Sequence, residues 1–188
     1  MAKADRNVMM RGLQGSVGEQ VVLKADKAGR TIVSNKPVFR EDWVFTAAQC
    51  AQQRRFRAAR AYARGAKHLA IYQARAEGTP QTPSNVAMTD WFHPPEIREI
   101  DLSEWRERAG GVIRVRAVDD VMVKQVWVTI LDEAGEVVEE GEGVRGEGDW
   151  WAYHAAVPAA GNLKVLVRAD DLPGHQTEIV KSLGSETT

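Results

Sequence analysis

Residues 112–118 read Val-Ile-Arg-Val-Arg-Ala-Val, and residues 163–169 read Leu-Lys-Val-Leu-Val-Arg-Ala. In both stretches apolar side chains recur at every second position, and four of the five positions between them are basic: Arg114, Arg116, Lys164 and Arg168. Because successive side chains of a strand point to opposite faces, this period predicts strands with one buried and one solvated face. Residues 126–131, Val-Trp-Val-Thr-Ile-Leu, are apolar on both faces and predict a central strand. These patterns together are typical of antiparallel sheets.

The second half of the chain continues in short β-rich runs separated by turn residues. Strands are predicted at residues 97–102, 112–118, 123–131, 137–144, 151–156, 163–169 and 176–183. Glu133-Ala-Gly-Glu136 predicts a tight hairpin turn between two of them. Seven strands within about 90 residues predict an antiparallel, immunoglobulin-like β-sandwich. Because Cys50 is the only cysteine, this sandwich has no internal disulfide.

The first half of the chain begins with a predicted hairpin. Residues 20–34 place two β-branched runs on either side of a polar tip near Gly29, and Pro37 ends the second run. The glycines ahead of the hairpin recur at every third position: Gly12, Gly15 and Gly18. Since no helix follows them, we expect a flexible or tightly turning lead-in rather than a phosphate loop.

A long helix is predicted from Thr46 to Glu77. Thr46-Ala-Ala-Gln49 matches a capping box, in which the threonine hydroxyl and the glutamine amide each bond to the other residue's backbone. Gly65 is the weak point of this helix, and Gly78 and Pro80 are stop signals. With this helix before a sandwich, the chain as a whole is predicted to be α+β.

Two neighbouring stripes run along the predicted helix. One is apolar and contains Phe56, Ala59, Ala63, Ala66 and Ala70. The adjacent stripe is basic and contains Arg57, Arg60, Arg64, Lys67 and Arg75. Alanines bury little area, so this helix needs a partner surface. The basic stripe is open to three interpretations: a solvated face, a docking face for an acidic module of the same or another copy, or a phosphate-binding face for nucleic acid.

A short helix and a proline pair separate the two halves. Ser84 is a candidate cap for a helix over residues 85–92, which His93-Pro-Pro95 must end. The predicted modules are therefore residues 1–93, a hairpin-helix module, and residues 94–188, the sandwich. The large apolar side chains expected to pack the modules together are Phe56, Trp91 and Phe92.

The charge of the chain is divided between its two halves. Residues 1–86 carry 15 Lys and Arg against 6 Asp and Glu, a net charge of +9, while residues 87–188 carry 10 against 20, a net charge of −10. Such asymmetry indicates two modules with different partners, or modules that attract each other within one chain or between copies. Because surface charges are screened by salt, we expect any assembly of this kind to weaken as salt rises.

The composition is that of an ordinary globular protein, 44% hydrophobic and 27% charged. No apolar run approaches the roughly 20 residues that cross a bilayer, and the first residues lead into no apolar signal core. We therefore expect no membrane association. A single cysteine fits a reducing compartment, so the expected location is the cytoplasm, or a virion or other particle released from it.

One segment matches the consensus sequence of a nucleotide-binding motif. Gly141-Glu-Gly-Val-Arg-Gly146 matches G-x-G-x-x-G, but its flanks predict strand and turn rather than a strand followed by a helix. We therefore interpret it as a loop between strands. The four histidines, His68, His93, His154 and His175, do not have ligand spacing. Since no nucleophile, base and orienting group can be assembled from neighbouring positions, we predict no catalytic residues and no enzyme activity.

Paired aspartates follow two of the alternating strands. These are Asp119 and Asp120 in one case and Asp170 and Asp171 in the other. In the predicted sandwich both pairs emerge at the same pole, where four carboxylates could hold Ca²⁺. The simpler interpretation is that these aspartates cap turns through their side chains, in which case no cofactor is bound.

Trp150 and Trp151 are adjacent in a predicted strand, so they should face opposite ways. One is then a core residue. The outward one is a candidate contact for a partner or a ligand, or an ordinary cover of the sheet edge.

The chain resembles a family of small bacterial proteins of uncharacterised function, some of them phage-associated. The resemblance covers most of the chain in order, in the segments Gly15-Ser-Val-Gly18, Gly29-Arg-Thr-Ile-Val-Ser34 with Lys36-Pro37, Thr46-Ala-Ala-Gln49 with Arg55-Phe56, residues 84–92 with Pro95-Glu-Ile97, residues 113–120, and residues 169–174. It implies a layout, a basic hairpin-helix segment before an immunoglobulin-like domain. It implies no catalytic residues.

The function expected from the sequence is a non-enzymatic structural or assembly role. The basic helix would dock on another copy, giving a homo-oligomer, or on a larger protein assembly. Two alternatives stay open: a nucleic-acid-associated protein that binds phosphates through the arginine-rich helix, and a ligand-binding sandwich that presents Trp150 or Trp151.

Overall fold

The computed structural model describes residues 2–3, 13–18, 20–26, 29–38, 44–107, 110–159 and 161–183. Its helices are α1 (Ala47–Ala66), α2 (Ala70–Ala76), α3 (Pro83–Phe92) and α4 (Ser103–Glu107). Its strands are β1 (Ala2–Lys3), β2 (Gly15–Val17), β3 (Val21–Ala25), β4 (Thr31–Asn35), β5 (Glu96–Asp101), β6 (Val112–Val118), β7 (Val123–Leu131), β8 (Val137–Glu142), β9 (Val144–Arg145), β10 (Trp150–His154), β11 (Lys164–Asp171) and β12 (Gln176–Ser182).

The chain divides into two compact units, Met1–Val86 and Ala87–Thr188. The division falls within α3, whereas the sequence places the module boundary after residue 93. It coincides with the point at which the net charge changes from +9 to −10. The first unit therefore has a net positive charge and the second a net negative charge.

The first unit contains an antiparallel sheet in the order β1-β4-β3-β2. The predicted hairpin is present as β3 and β4, and its tip is closed by the carboxylate of Asp26, which accepts from the backbone N–H of Arg30 at 2.9 Å. Of the two expectations for the glycine lead-in, the flexible one is wrong for Gly15–Val17, which pairs with β3 as strand β2. The tightly turning one fits Gly18, which follows β2 in a turn with a φ of 60°. Gly12 lies outside the described residues.

The predicted long helix is interrupted. The Thr46 capping box is present, with the Thr46 side chain accepting from Gln49 N and the Gln49 side chain accepting from Thr46 N. The helix ends at Ala66, however, and Leu69 adopts an extended conformation before α2 begins. The break brings the hydroxyls of Tyr62 and Tyr72 to 2.6 Å, although a continuous helix would separate them by about 15 Å along its axis. The tyrosine contact thus requires two helices rather than one.

The cap of α3 is Thr82 and not Ser84. The Thr82 hydroxyl accepts from the backbone N–H of Asn85 at 3.1 Å, and Pro83 occupies the first position of the helix, where its missing N–H costs nothing. The helix ends at Phe92, before the two prolines, as the sequence predicts.

The second unit is built from two four-stranded antiparallel sheets, in the orders β5-β6-β10-β9 and β12-β11-β7-β8. Both sheets contribute inward side chains to one hydrophobic core, which includes Ile113, Val115, Val128 and Val165, all at most 1% exposed. β7 is one of the two interior strands of its sheet, as the apolar faces of residues 126–131 predict. The unit is thus a sandwich-like pair of antiparallel sheets around a single core.

The predicted strand at residues 137–144 is two strands rather than one. β8 pairs with β7, whereas β9 pairs with β10 of the other sheet. Gly143 lies at the crossing point, where its N–H donates to Val126 O at 2.8 Å and a Cβ atom would lie 3.4 Å from the same oxygen. The second unit therefore has one more strand than predicted within its described residues.

The glycines of the G-x-G-x-x-G motif have packing roles. A Cβ atom on Gly141 would lie 2.8 Å from the ring of Tyr153, which reaches across from β10, so the glycine makes room for that ring. Gly146 donates to Trp150 O at 2.8 Å and turns the chain between β9 and β10. The motif is not the loop that the sequence predicts, because Gly141 and Glu142 end β8 and Val144-Arg145 form β9. The next element is strand β10 and not a helix.

A short helix that the sequence analysis did not predict, α4, closes one end of the core. Its Trp105 is fully buried, and the indole N–H donates to Val157 O at 2.9 Å. The backbone N–H of the same Val157 donates to the carboxylate of Glu139 at 2.9 Å. The loop after β10 is therefore held from both sides, by α4 and by β8.

Glu139 connects the two sheets. Besides Val157, its carboxylate accepts from the backbone N–H of Ala156 at 2.9 Å and from the hydroxyl of Tyr153 at 2.7 Å. Burial raises the pKa of Glu139, but these three hydrogen bonds together outweigh burial, so the pKa lies below its ordinary value of 4.5. Burial, and then the hydrogen bond to Glu139, raise the pKa of Tyr153 to about 12.

We expect the Glu139 contact to make the fold sensitive to acid. A carboxyl group whose pKa is lower in the folded than in the unfolded state stabilises the fold above the unfolded value, and that stabilisation is lost as pH falls through the folded value. The free energy of unfolding should therefore decrease below pH 4.5, and Glu139→Gln should flatten this decrease. At pH 7, Glu139→Ala should cost about 2 kcal/mol, because three donors lose a charged acceptor. Urea unfolding at a series of pH values from neutral to acidic measures the pH dependence and the cost of Glu139→Ala. If the free energy of unfolding fell with pH equally for wild type and Glu139→Gln, the role of Glu139 would be contradicted.

Candidate functional site

The basic residues predicted to form one stripe are divided by the break in the helix. Arg57, Arg60 and Arg64 lie on α1 and Lys67 follows it directly, and all four are exposed. Arg75 lies on α2, so it does not continue the same stripe. We define the α1 face as Phe45, Gln49, Gln52, Gln53, Phe56, Arg57 and Arg60, which line a shallow groove of about 530 Å³.

The α1 face combines aromatic, amide and guanidinium groups at the surface. Phe56 is 48% exposed and Phe45 is 50% exposed, although side chains of this kind are usually buried. Residues 44–76 contain no Asp or Glu, so the arginines have no acidic neighbour on their own helices. The buried side of α1 consists of Ala59, Ala63 and Ala66. The surface is thus suited to an acidic and partly apolar partner.

Phe56 was one of three residues expected to pack the modules together. Trp91 and Phe92 lie in the second unit, with their rings in edge-to-face contact at a centroid distance of 5.2 Å. Trp91 also contacts the ring of His175 at 5.2 Å within that unit. Packing of these three residues between modules stays a prediction.

The second unit exposes an acidic strand at a sheet edge. β8 lies at the edge of its sheet, next to β7, and exposes Glu140 and Glu142 together with Val137 and Val138, which are 57% and 45% exposed. Glu140 and Glu142 pair in register with Thr129 and Trp127 and share their outward face. We call these four exposed residues the β8 edge. An unpaired edge with exposed valines and carboxylates can accept a partner.

The adjacent tryptophans face opposite ways, as predicted. Trp151 is 7% exposed and belongs to the core, while Trp150 is half-buried on the outer face of its sheet. In the described part of the chain no aromatic ring or guanidinium group stacks on the ring of Trp150, and Arg116 of β6 is its partner in register. A groove of about 410 Å³ lies beside it.

The four aspartates considered for calcium each have another role. Asp119 accepts from the backbone N–H groups of Val121 and Met122, and Asp120 lies 2.6 Å from the His93 ring. Asp170 pairs with Arg168 at 3.3 Å, a contact close enough for an ion pair but not well aligned for a hydrogen bond. Across the described residues no three His, Cys, Asp or Glu side chains come together as metal ligands would. Calcium binding stays an untested expectation.

Asp171 closes the turn between β11 and β12. Its fully buried carboxylate accepts from the backbone N–H groups of Gly174 and His175, both at 2.6 Å, and lies 2.9 Å from the His175 ring. Burial raises the pKa of Asp171, and the contacts with His175 and Gly174 oppose that effect. This is the turn-capping role that short polar side chains commonly have.

The β8 edge and the groove beside Trp150 do not follow from the sequence patterns. Both depend on pairings between distant strands: β8 is an edge because β11 occupies the other side of β7, and the groove needs β6 and β10 side by side. The one sequence signal was the acidic, valine-containing run at residues 136–142, which predicts a strand with a charged face.

Comparison with protein-family models and with curated proteins gives no match. Among solved structures, the chain is similar to CopC from Methylosinus trichosporium OB3b, with 22% identity and a TM-score of 0.36 over 47% of this chain and 89% of that one. It is also similar to a lipoprotein from Bacteroides thetaiotaomicron, with 15% identity and a TM-score of 0.28 over 51% and 82% of the two chains. Similarities at this level identify neither a family nor an activity.

The described helices include none that is both long and apolar enough to span a bilayer.

Proposed function

We propose that this protein is a non-enzymatic assembly protein, in which the α1 face of one copy binds the β8 edge of another. The observation that carries the proposal is the division of charge: the unit that contains α1 has a net charge of +9, and the unit that contains β8 has a net charge of −10. Opposite charges on two units of the same chain favour contact between copies.

The two surfaces also match in their chemistry. The α1 face presents Arg57 and Arg60 beside the exposed ring of Phe56, and the β8 edge presents Glu140 and Glu142 beside two exposed valines. Guanidinium groups bind carboxylates with two hydrogen bonds, and aromatic rings and arginines are enriched at protein interfaces. The α1 face thus supplies the positive charge and the β8 edge the negative charge, and both have apolar side chains beside them.

Binding of two different surfaces on identical chains is head-to-tail. Such contacts close into rings when the rotation between copies allows it, and otherwise they extend into filaments. In this role the second unit is an immunoglobulin-like scaffold without a disulfide. The protein acts in the cytoplasm or as a component of a virion or other particle, in keeping with the family that the sequence resembles. It uses no cofactor and has no catalytic residues.

We expect the assembly to be salt-sensitive and to depend on the α1 face. Light scattering after size-exclusion chromatography should show a multimer at about 0.1 M salt and a smaller species at about 1 M, because the screening length falls from about 10 Å to about 3 Å. Arg57→Glu with Arg60→Glu should weaken association about tenfold or more at low salt.

A matched control is available on the opposite edge of the same sheet. Glu178 is exposed on β12, so Glu178→Lys changes a charge of the second unit without changing the β8 edge, and it should leave the multimer intact. A monomer at low salt would contradict the proposal. If that monomer also carried nucleic acid, seen in its ultraviolet absorbance, the arginines of α1 would be assigned to phosphate binding instead.

A further inference from the structure

The outer face of one sheet in the second unit carries a slot between two large side chains. Trp150, Ala152 and His154 alternate along β10 on this face, with the methyl group of Ala152 between the two rings. The register places Ala152 beside Arg114 of β6 on one side and Val144 of β9 on the other. Trp150 and His154 are about 13 Å apart along the strand, so the slot has room for one or two six-membered rings.

The two outward tryptophans on the sheets of the second unit, Trp127 and Trp150, differ in what lies over their rings. Trp127, on the outer face of the other sheet, has the guanidinium of Arg168 over its ring at 5.9 Å. No guanidinium group of a described residue lies over the ring of Trp150, although Arg116 is its partner in register on β6. The indole N–H of Trp150 has no hydrogen-bond partner among the described residues. A large aromatic side chain is therefore held beside the slot with no ring or guanidinium group of a described residue stacked on it.

Hydrogen-bond donors and acceptors line the groove beside the Trp150 ring. Arg114 offers guanidinium donors, one of which is bound to Glu104 at 2.7 Å, and Glu147 offers a carboxylate acceptor. The ring nitrogens of His154 can donate or accept. All three line the groove of about 410 Å³, which lies in the size range of small-molecule sites.

We propose that this groove binds the pyranose ring of a carbohydrate. A pyranose has a face of C–H groups that stacks on an aromatic ring, and its rim of hydroxyls both donates and accepts hydrogen bonds. Trp150 supplies the stacking surface, Ala152 the space, and Arg114, Glu147 and His154 the polar contacts. This activity is separate from the proposed self-association, which uses the β8 edge and α1.

The test uses the full-length protein and a panel of sugars: glucose, galactose, mannose, N-acetylglucosamine and the β-linked disaccharide cellobiose. Saturation-transfer NMR should show contact with the ring C–H protons of at least one of them, and its titration should change tryptophan fluorescence. Trp150→Ala should weaken binding about tenfold or more, since it removes the stacking surface. Ala152→Leu should weaken binding to a similar extent by filling the slot while keeping Trp150.

The matched control is Trp127→Ala, which removes the covered outward tryptophan and should leave sugar binding unchanged. Thermal melting of each variant separates loss of binding from loss of the fold. Absence of saturation transfer from the whole panel would overturn the proposal, as would binding that survives both Trp150→Ala and Ala152→Leu.

Discussion

Gly111→Ala is expected to destabilise the second unit by about 3 kcal/mol or more. A Cβ atom on Gly111 would lie 2.2 Å from the carbonyl oxygen of Glu104 and 2.6 Å from the Cα atom of Trp105. Both are backbone atoms of α4, so no side chain can rotate away to make room. Either α4 or the start of β6 must move, and the buried indole of Trp105 moves with it.

The measurement for Gly111→Ala is thermal unfolding followed by circular dichroism. A loss of this size corresponds to a midpoint lower by roughly 12 °C or more for a unit of about 100 residues. Gly65→Ala is the matched control, because the same methyl group would meet nothing within 4 Å there. Gly65 lies inside α1, where alanine is favoured by up to about 1 kcal/mol. A wild-type midpoint for Gly111→Ala would contradict the packing of α4 described above.

Trp105→Ala is expected to cost about 4 kcal/mol, because Trp105 is the largest fully buried side chain among the described residues. The residue is fully buried, so its removal leaves a cavity that the surrounding core cannot fill. It also removes the donor to Val157 O and leaves that carbonyl without the hydrogen bond. Trp105→Phe keeps most of the packing and should cost less, mainly the lost hydrogen bond.

Urea unfolding followed by far-ultraviolet circular dichroism measures these costs without relying on tryptophan emission. Trp150→Ala serves as the control, because it removes the same side chain from the outer face and should change the free energy of unfolding far less. Equal costs for Trp105→Ala and Trp150→Ala would show that α4 does not close the core. The two alanine variants therefore separate a core tryptophan from a surface one.

Local patterns predicted the strands of the second unit well, for a physical reason. Residues 112–118 alternate between apolar and basic side chains because one face of the strand packs against the opposing sheet, and β6 has these bounds. The predicted strand at residues 123–131 has the bounds of β7, whose buried side chains also recur at alternate positions. The capping box at Thr46 could be predicted equally well, because it depends only on residues close in sequence. Such elements can be predicted because the residues that determine them are contained in the local sequence pattern.

Features that depend on distant partners could not be predicted. The helix break follows from the contact between Tyr62 and Tyr72, and the crossing at Gly143 follows from the approach of Trp151 and Val126. α4 is five residues long and has too few positions to show a helical period. Glu139 lies in an acidic run and resembles a solvated residue until its partners on the loop after β10 are known.

The candidate surfaces divide in the same way. The exposed arginines of α1 were predicted from helical periodicity, and the opposite faces of Trp150 and Trp151 from the period of a strand. The β8 edge was not predicted, because strand order decides which strand lies at an edge. For the aspartates, the geometry favours turn capping: Asp119 and Asp171 accept hydrogen bonds from the backbone of their own loops.

The most direct test of self-association through the α1 face and the β8 edge is a mixing experiment followed by light scattering. One variant carries Arg57→Glu and Arg60→Glu, and the other carries Glu140→Lys and Glu142→Lys. Each variant alone has charges of one sign on both surfaces and should be a monomer at about 0.1 M salt. An equimolar mixture restores opposite charges and should form a multimer that dissociates at about 1 M salt. A mixture that stays monomeric, or variants that associate as the wild type does, would contradict charge-driven assembly.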